Sequence, residues 1–151
     1  MDAFQWVIDE YLLPHSRKDV IEHIENHRAQ GHEVVVVSGM FTEALELLCN
    51  RLGVSHFLGT RLEIQNDRYT GRVIPPVIKG KDKVEKTREY LKSQGWDIDL
   101  KSSFAYGDSF TDRDMLEMVG HAMAVHPDKK LFSLAKEMNW EILGTPKEKQ
   151  D

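Results

Sequence analysis

Residues 33–40 read EVVVVSGM, and the fold turns on this stretch. Four consecutive valines, Val34 to Val37, show no alternation of apolar and polar positions. That pattern predicts a strand buried on both faces, as in parallel sheets covered by helices on each side. Ser38-Gly39 breaks the run, and Phe41, Leu45, Leu48 and Leu52 follow at helical spacing up to Gly53.

The same alternation recurs on either side. Upstream, residues 3–13 predict a short helix stopped by Pro14. Ser16 with Asp19 has the pattern of a capping box, Val20, Ile21, Ile24 and His27 make an apolar face, and Gly31 sits at a C-cap. Downstream come a strand (56–64), a hairpin-like excursion through NDRYTGRVIPP, and a helix (82–94). A strand ending FAYGD, a short helix with Thr111 and Asp114 as a capping box, the strand HAMAV, a helix over 128–139 and an edge strand at 140–143 complete the order. Strand–helix alternation predicts an α/β fold with a largely parallel sheet. Ligands of such sheets bind off the carboxyl ends of the strands, here VVVVSG and FAYGDS.

The bulk numbers bound the partners. The chain has 151 residues, 40% hydrophobic and 30% charged, enough for one core. A net charge of −5 leaves no basic footprint for nucleic acid. No apolar run approaches the ~20 residues of a membrane span. One cysteine, Cys49, fits a reducing compartment, and the N-terminus lacks the basic region of a signal peptide, so a cytoplasmic protein is expected.

Three places carry candidate chemistry. Ser38-Gly39 precedes a helix N-terminus, where unpaired N–H groups make an anion site; the plainer reading of Ser38 is an N-cap. Tyr106–Leu116, YGDSFTDRDML, concentrates three aspartates at a strand-to-helix corner. Asp108 has the position of a direct Mg²⁺ ligand, Asp112 that of a second ligand or a holder of its waters, and Asp114 that of the capping-box acid. The plainer reading makes all three acids caps and dipole partners. Lys79, Lys81 and Lys83 form a basic run, of which Lys83 is the most constrained and is placed to neutralise a phosphoryl oxygen. His23 and His27 stand at i, i+4, a zinc-like spacing with no further ligand evident.

Together these stretches resemble the haloacid dehalogenase-like phosphohydrolase superfamily, in its phosphoserine phosphatase branch. VVVVSG resembles the second motif, GKDKVEKTREYL the third and AYGDSFTDRDML the fourth, with the likeness running from about Leu13 to Leu143. The resemblance implies a Rossmann-like three-layer parallel sheet and a Mg²⁺-dependent phosphomonoesterase scaffold acting on a phosphorylated small molecule. It implies phosphate binding by Ser38, Gly39 and Lys83, with Lys83 also catalytic, and metal binding by Asp108 and Asp112.

One motif is missing. The superfamily's D-x-D nucleophile pair does not precede Ser38; Asp9-Glu10-Tyr11 is the nearest approach, and Asp97-Ile98-Asp99 falls in a loop. The resemblance then makes residues 1–14 the remnant of a helical cap, 15–143 the core and 144–151 a flexible tail, with the first central strand absent. An incomplete or inactive phosphatase is expected, or else a non-catalytic phosphate-binding or interaction module. Asp9 serves as a nucleophile only if WVID is a strand. Without the central strand, the strands ending at Ser38 and Asp108 must pair with each other or leave unpaired edges, so a homodimer or swapped assembly is expected.

Overall fold

The computed structural model describes residues 3–147. The chain divides into two compact units, Met1–Ile78 and Lys79–Asp151. Each unit holds a three-stranded sheet with a parallel pair, and the chain is α/β as its sequence predicts.

In the first unit, α1 (Ala3–Trp6) runs into a π-helical turn over Val7–Leu12, and then come α2 (Lys18–Ala29), β1 (Val35–Phe41), α3 (Thr42–Leu52), β2 (His56–Gln65) and β3 (Arg68–Ile74). β1 pairs with β2 in parallel, and β2 pairs with β3 as an antiparallel hairpin. Asn66 and Asp67 both have positive φ, the conformation a two-residue hairpin turn requires. Leu45, Cys49 and Val54 form the core, with Ile24, Val34, Val36 and Phe57 packed on it.

The valine run forms a strand but is not buried on both faces. Val34 to Val37 are all half-buried. β1 bonds β2 on one side only and is an edge of its sheet. The strand also runs past Ser38 to Phe41, with a register irregularity between Val37 and Phe41. One local expectation is corrected. Ser16 does not cap α2: its hydroxyl donates to the Leu13 carbonyl, and Arg17 occupies the N-cap position without a side-chain bond. The residues around Asp9 are helical, and Asp9 accepts two bonds from the Arg51 guanidinium at 3.0 and 3.2 Å. WVID is therefore no strand, which removes Asp9 as a nucleophile.

The second unit contains α4 (Lys81–Ser93), β4 (Phe104–Gly107), α5 (Arg113–Glu117), β5 (His121–Val125), α6 (Lys129–Glu137) and β6 (Glu141–Leu143). Its sheet is wholly parallel in the order β4-β5-β6. Ala105, Leu116, Ala122, Ala124, Leu131 and Ala135 form the core. Alanines on β4 and β5 let α5 and α6 sit close to the sheet, and Leu116 and Leu131 fill the space at 0% exposure. The last helix, expected over 128–139, ends at Glu137, and Met138 at its C-cap is exposed. The expected tail lies partly outside the described residues; within them, the Lys147 amide donates to the Pro127 carbonyl.

Candidate functional site

The corner after β4 is built around one carboxylate. Ser109 caps a 3-10 turn over Phe110–Asp112 in a reciprocal capping box with Asp112. The Asp112 Oδ2 atom accepts from the backbone amides of Asp108 and Ser109, at 3.3 and 3.2 Å. Its Oδ1 atom accepts from Lys83 Nζ at 2.6 Å. Asp112 is 3% exposed, so a buried charge is fully engaged by two amides and one ammonium.

This corrects the assignment of the capping box. Thr111 and Asp114 do not form it; Ser109 and Asp112 do, two residues earlier. Asp114 lies in the first turn of α5, where a carboxylate favours the helix N-terminus. Gly107 is required by the same arrangement. A Cβ there would meet the Asp112 Cβ at 2.8 Å and its Oδ2 at 3.1 Å, so a glycine lets the carboxylate fold back over the end of β4.

Asp108 behaves differently. Its side chain is 44% exposed and pairs with Lys147 Nζ at 2.7 Å. Asp128 holds the loop from the other side: Oδ1 accepts from the Leu131 amide as the cap of α6, and Oδ2 accepts from the Phe110 amide. Burial pushes the Asp128 carboxyl up, but bonds from the Leu131 and Phe110 amides and from Ser109, with the Lys147 charge, outweigh it and leave it below the usual carboxylate range. The backbone carbonyl of Asp108 accepts from the Asp128 amide, closing the ring of contacts. The sequence held a signal for Asp128, an acid three residues before Leu131 at a helix start. Nothing local in it linked Asp128 to Phe110.

Of the residues expected at the site, Lys83, Asp108 and Asp112 are brought together within the second unit. Ser38 and Gly39 lie in the first unit. Ser38 is not the N-cap of α3, a position Phe41 takes without a side-chain bond. Instead its Oγ accepts from the Met40 amide at 3.0 Å, inside the irregular end of β1. A Cβ at Gly39 would meet the Ile78 carbonyl at 3.2 Å. The D-x-D of residues 97–99 is structural at its second acid: Asp99 caps the turn Leu100–Ser102. Its bond from Ser102 and then the Lys101 amide hold its carboxyl below the usual range.

The donor set suits a hard cation held lightly. Mg²⁺ takes one or two carboxylates and keeps several waters. Asp108 offers an accessible carboxylate, whereas both oxygens of Asp112 already accept bonds. Asp108, exposed and paired with Lys147, could offer an oxygen to such a cation, and Asp112 holds the backbone amides beside it. Among the described residues, no group of three or more His, Cys, Asp or Glu side chains is arranged to hold a metal.

The sequence model of the haloacid dehalogenase-like hydrolase family matches residues 2–117, and the chain belongs to that family. A probable phosphatase of Mycobacterium tuberculosis is 38% identical over 121 residues, 80% of this chain and 41% of the relative. The phosphoserine phosphatase SerB1 of the same organism is 32% identical over 136 residues, 90% of this chain and 44% of the relative. The chain therefore spans less than half the length of these curated relatives. Among solved structures, a probable phosphoserine phosphatase from Vibrio cholerae superposes with a TM-score of 0.64 at 26% identity, over 74% of this chain and 34% of that one. A Bordetella pertussis protein of unknown function shares the fold with a TM-score of 0.85 at 23% identity, over 93% of this chain and 64% of that one. No helix among the described residues is long and apolar enough to cross a membrane.

Proposed function

We propose that the chain forms part of a Mg²⁺-dependent phosphomonoesterase scaffold. The observation that carries this is the Lys83–Asp112–Asp108 corner. An ammonium is fixed at 2.6 Å on a buried carboxylate, beside a second carboxylate that is exposed. Lys83 supplies positive charge for a phosphoryl oxygen, and its pairing with Asp112 holds the ammonium in one place instead of on a free stem. Asp108 would hold Mg²⁺, which when bound neutralises charge on the phosphoryl group. By the same resemblance, Ser38 and Gly39 carry hydroxyl and amide donors of a kind suited to a phosphate. Residues 1–14 would then belong to a helical cap.

A generic phosphomonoester such as p-nitrophenyl phosphate, assayed with Mg²⁺ in wild type and Asp108→Asn, tests the reading. Magnesium-dependent turnover lost in the variant supports a working site. Phosphate binding without turnover supports the second reading, a phosphate-binding module without catalysis. That alternative is favoured by the fates of the other candidate acids, since Asp9 is paired with Arg51 on a helix and Asp99 caps a turn. Neither turnover nor phosphate binding would refute both.

The proposal extends to assembly and location. β1 and β4 are each an edge of their sheet, and unpaired edges invite pairing with another chain. A homodimer or swapped assembly follows from this reading, and the lone buried Cys49 suits a reducing compartment such as the cytoplasm.

A further inference from the structure

Within the second unit, the chain beyond β6 turns back over the acidic corner. β6 ends at Leu143, whose carbonyl accepts from the His126 amide at 2.8 Å. Gly144 then turns the chain at φ 73°, a conformation that suits glycine. A Cβ at Gly144 would run into the His126 imidazole, so the turn lies directly against that ring. Three residues on, the Lys147 amide donates to the Pro127 carbonyl at 2.9 Å, and Lys147 Nζ donates to Asp108 Oδ2 at 2.7 Å. Residues 143–147 are thus a strap tied by these three bonds to the loops that follow β4 and β5. β4 and β5 are parallel, and ligands of parallel sheets bind off that end of the strands.

We propose that Lys147 is a built-in competitor for the cation at Asp108, an autoinhibitory contact that Mg²⁺ must displace in order to bind. The competition rests on Asp108 being the metal-facing acid of the proposed function. An ammonium and Mg²⁺ seek the same carboxylate oxygens. With Nζ at 2.7 Å from Oδ2, a metal at ~2.1 Å from that oxygen would bring two cations together, and like charges at such range repel. A surface lysine usually gains little from an ion pair, because ordering its long stem costs entropy. Here the backbone of Lys147 is already bonded to Pro127, which lowers that cost. The paired side chains are 40% and 44% exposed, so the contact is open to solvent and reversible. Asp112 stands apart from this exchange, since it is buried and bonded to Lys83.

Two measurements on the full chain test it, neither of them an activity assay. The first is acetylation of lysines by acetic anhydride, read by mass spectrometry, with Lys92, exposed on α4, as internal standard. Without metal, Lys147 should react several-fold more slowly in the wild type than in Asp108→Asn. Saturating Mg²⁺ should raise its reactivity in the wild type and leave it unchanged in Asp108→Asn. The second is calorimetric titration with Mg²⁺, in which Lys147→Gln should bind about two- to fivefold more tightly than the wild type, the range an exposed ion pair supports. Lys147 is on the surface, and circular dichroism verifies that the variants keep the fold. Equal Lys147 reactivity in wild type and Asp108→Asn without metal overturns the proposal. So does Mg²⁺ binding that leaves Lys147 reactivity unchanged or is no tighter in Lys147→Gln, and either result spares the metal role of Asp108. Absence of Mg²⁺ binding in both wild type and Lys147→Gln overturns that role and the competition with it.

Discussion

Asp112 shows how a functional-looking acid divides its work. Both of its oxygens are engaged, so its charge stabilises the loop as well as any ligand. Lys83→Met removes the ammonium from a carboxylate that is 4% exposed and should destabilise the chain by about 3 kcal/mol in urea unfolding, as for one-sided loss of a buried pair. The double variant Lys83→Met/Asp112→Asn should recover part of that loss. Additive effects would show that the pair is not coupled. Cys49 is fully buried, and burial pushes its thiol up to about 11. It should react with a thiol reagent such as DTNB only after unfolding; fast labelling of the folded chain would contradict its place in the core.

Among the elements, α6 depends most visibly on one side chain. Asp128 caps it and also bonds the Phe110 amide of the acidic loop. Asp128→Ala should cost about 1–2 kcal/mol, with the loop and the helix loosening together in hydrogen exchange. Its pH dependence follows from the depressed carboxyl. The contribution is fully present above the unfolded value of ~3.9 and is lost as pH falls through the lower folded value. The wild type should therefore lose its advantage over Asp128→Ala in acid. An unchanged difference from pH 7 down to about pH 2 would place the stabilisation elsewhere.

For the whole molecule, the open question is what covers the sheet edges. β1 is rich in valine, yet those valines are half-buried, and among the described residues the strand bonds a partner strand on one flank alone. A chain of this composition is expected to hide such an edge by self-association. Light scattering across the micromolar range should give a mass near twice 17.4 kDa. A clean monomer would rule out the dimer.

Much of the architecture was legible from local pattern. Order and type of the strands and helices follow from apolar spacing and from Gly and Pro punctuation, because these act over a few residues. The strand before Ser38 and the acidic corner at Asp108 rest on such signals, whereas the hairpin turn falls at Asn66-Asp67, at the start of the stretch the sequence marked only as a hairpin-like excursion. Lys83 and Asp112 were recognisable as candidates by resemblance, but their bond joins residues far apart in sequence, and only the packed second unit decides it. The same holds for the capping box. Ser109 and Thr111 each fit the pattern locally, and the return of Asp112 over Gly107 selects Ser109. The valine run determined a strand but not its burial, since burial depends on neighbours in space. For the histidines, the sequence supplied the i, i+4 pair of His23 and His27. The left-handed turn at Gly31 sets His32 against His27, where the two rings share a hydrogen bond, a pairing made by backbone geometry beyond the helix end.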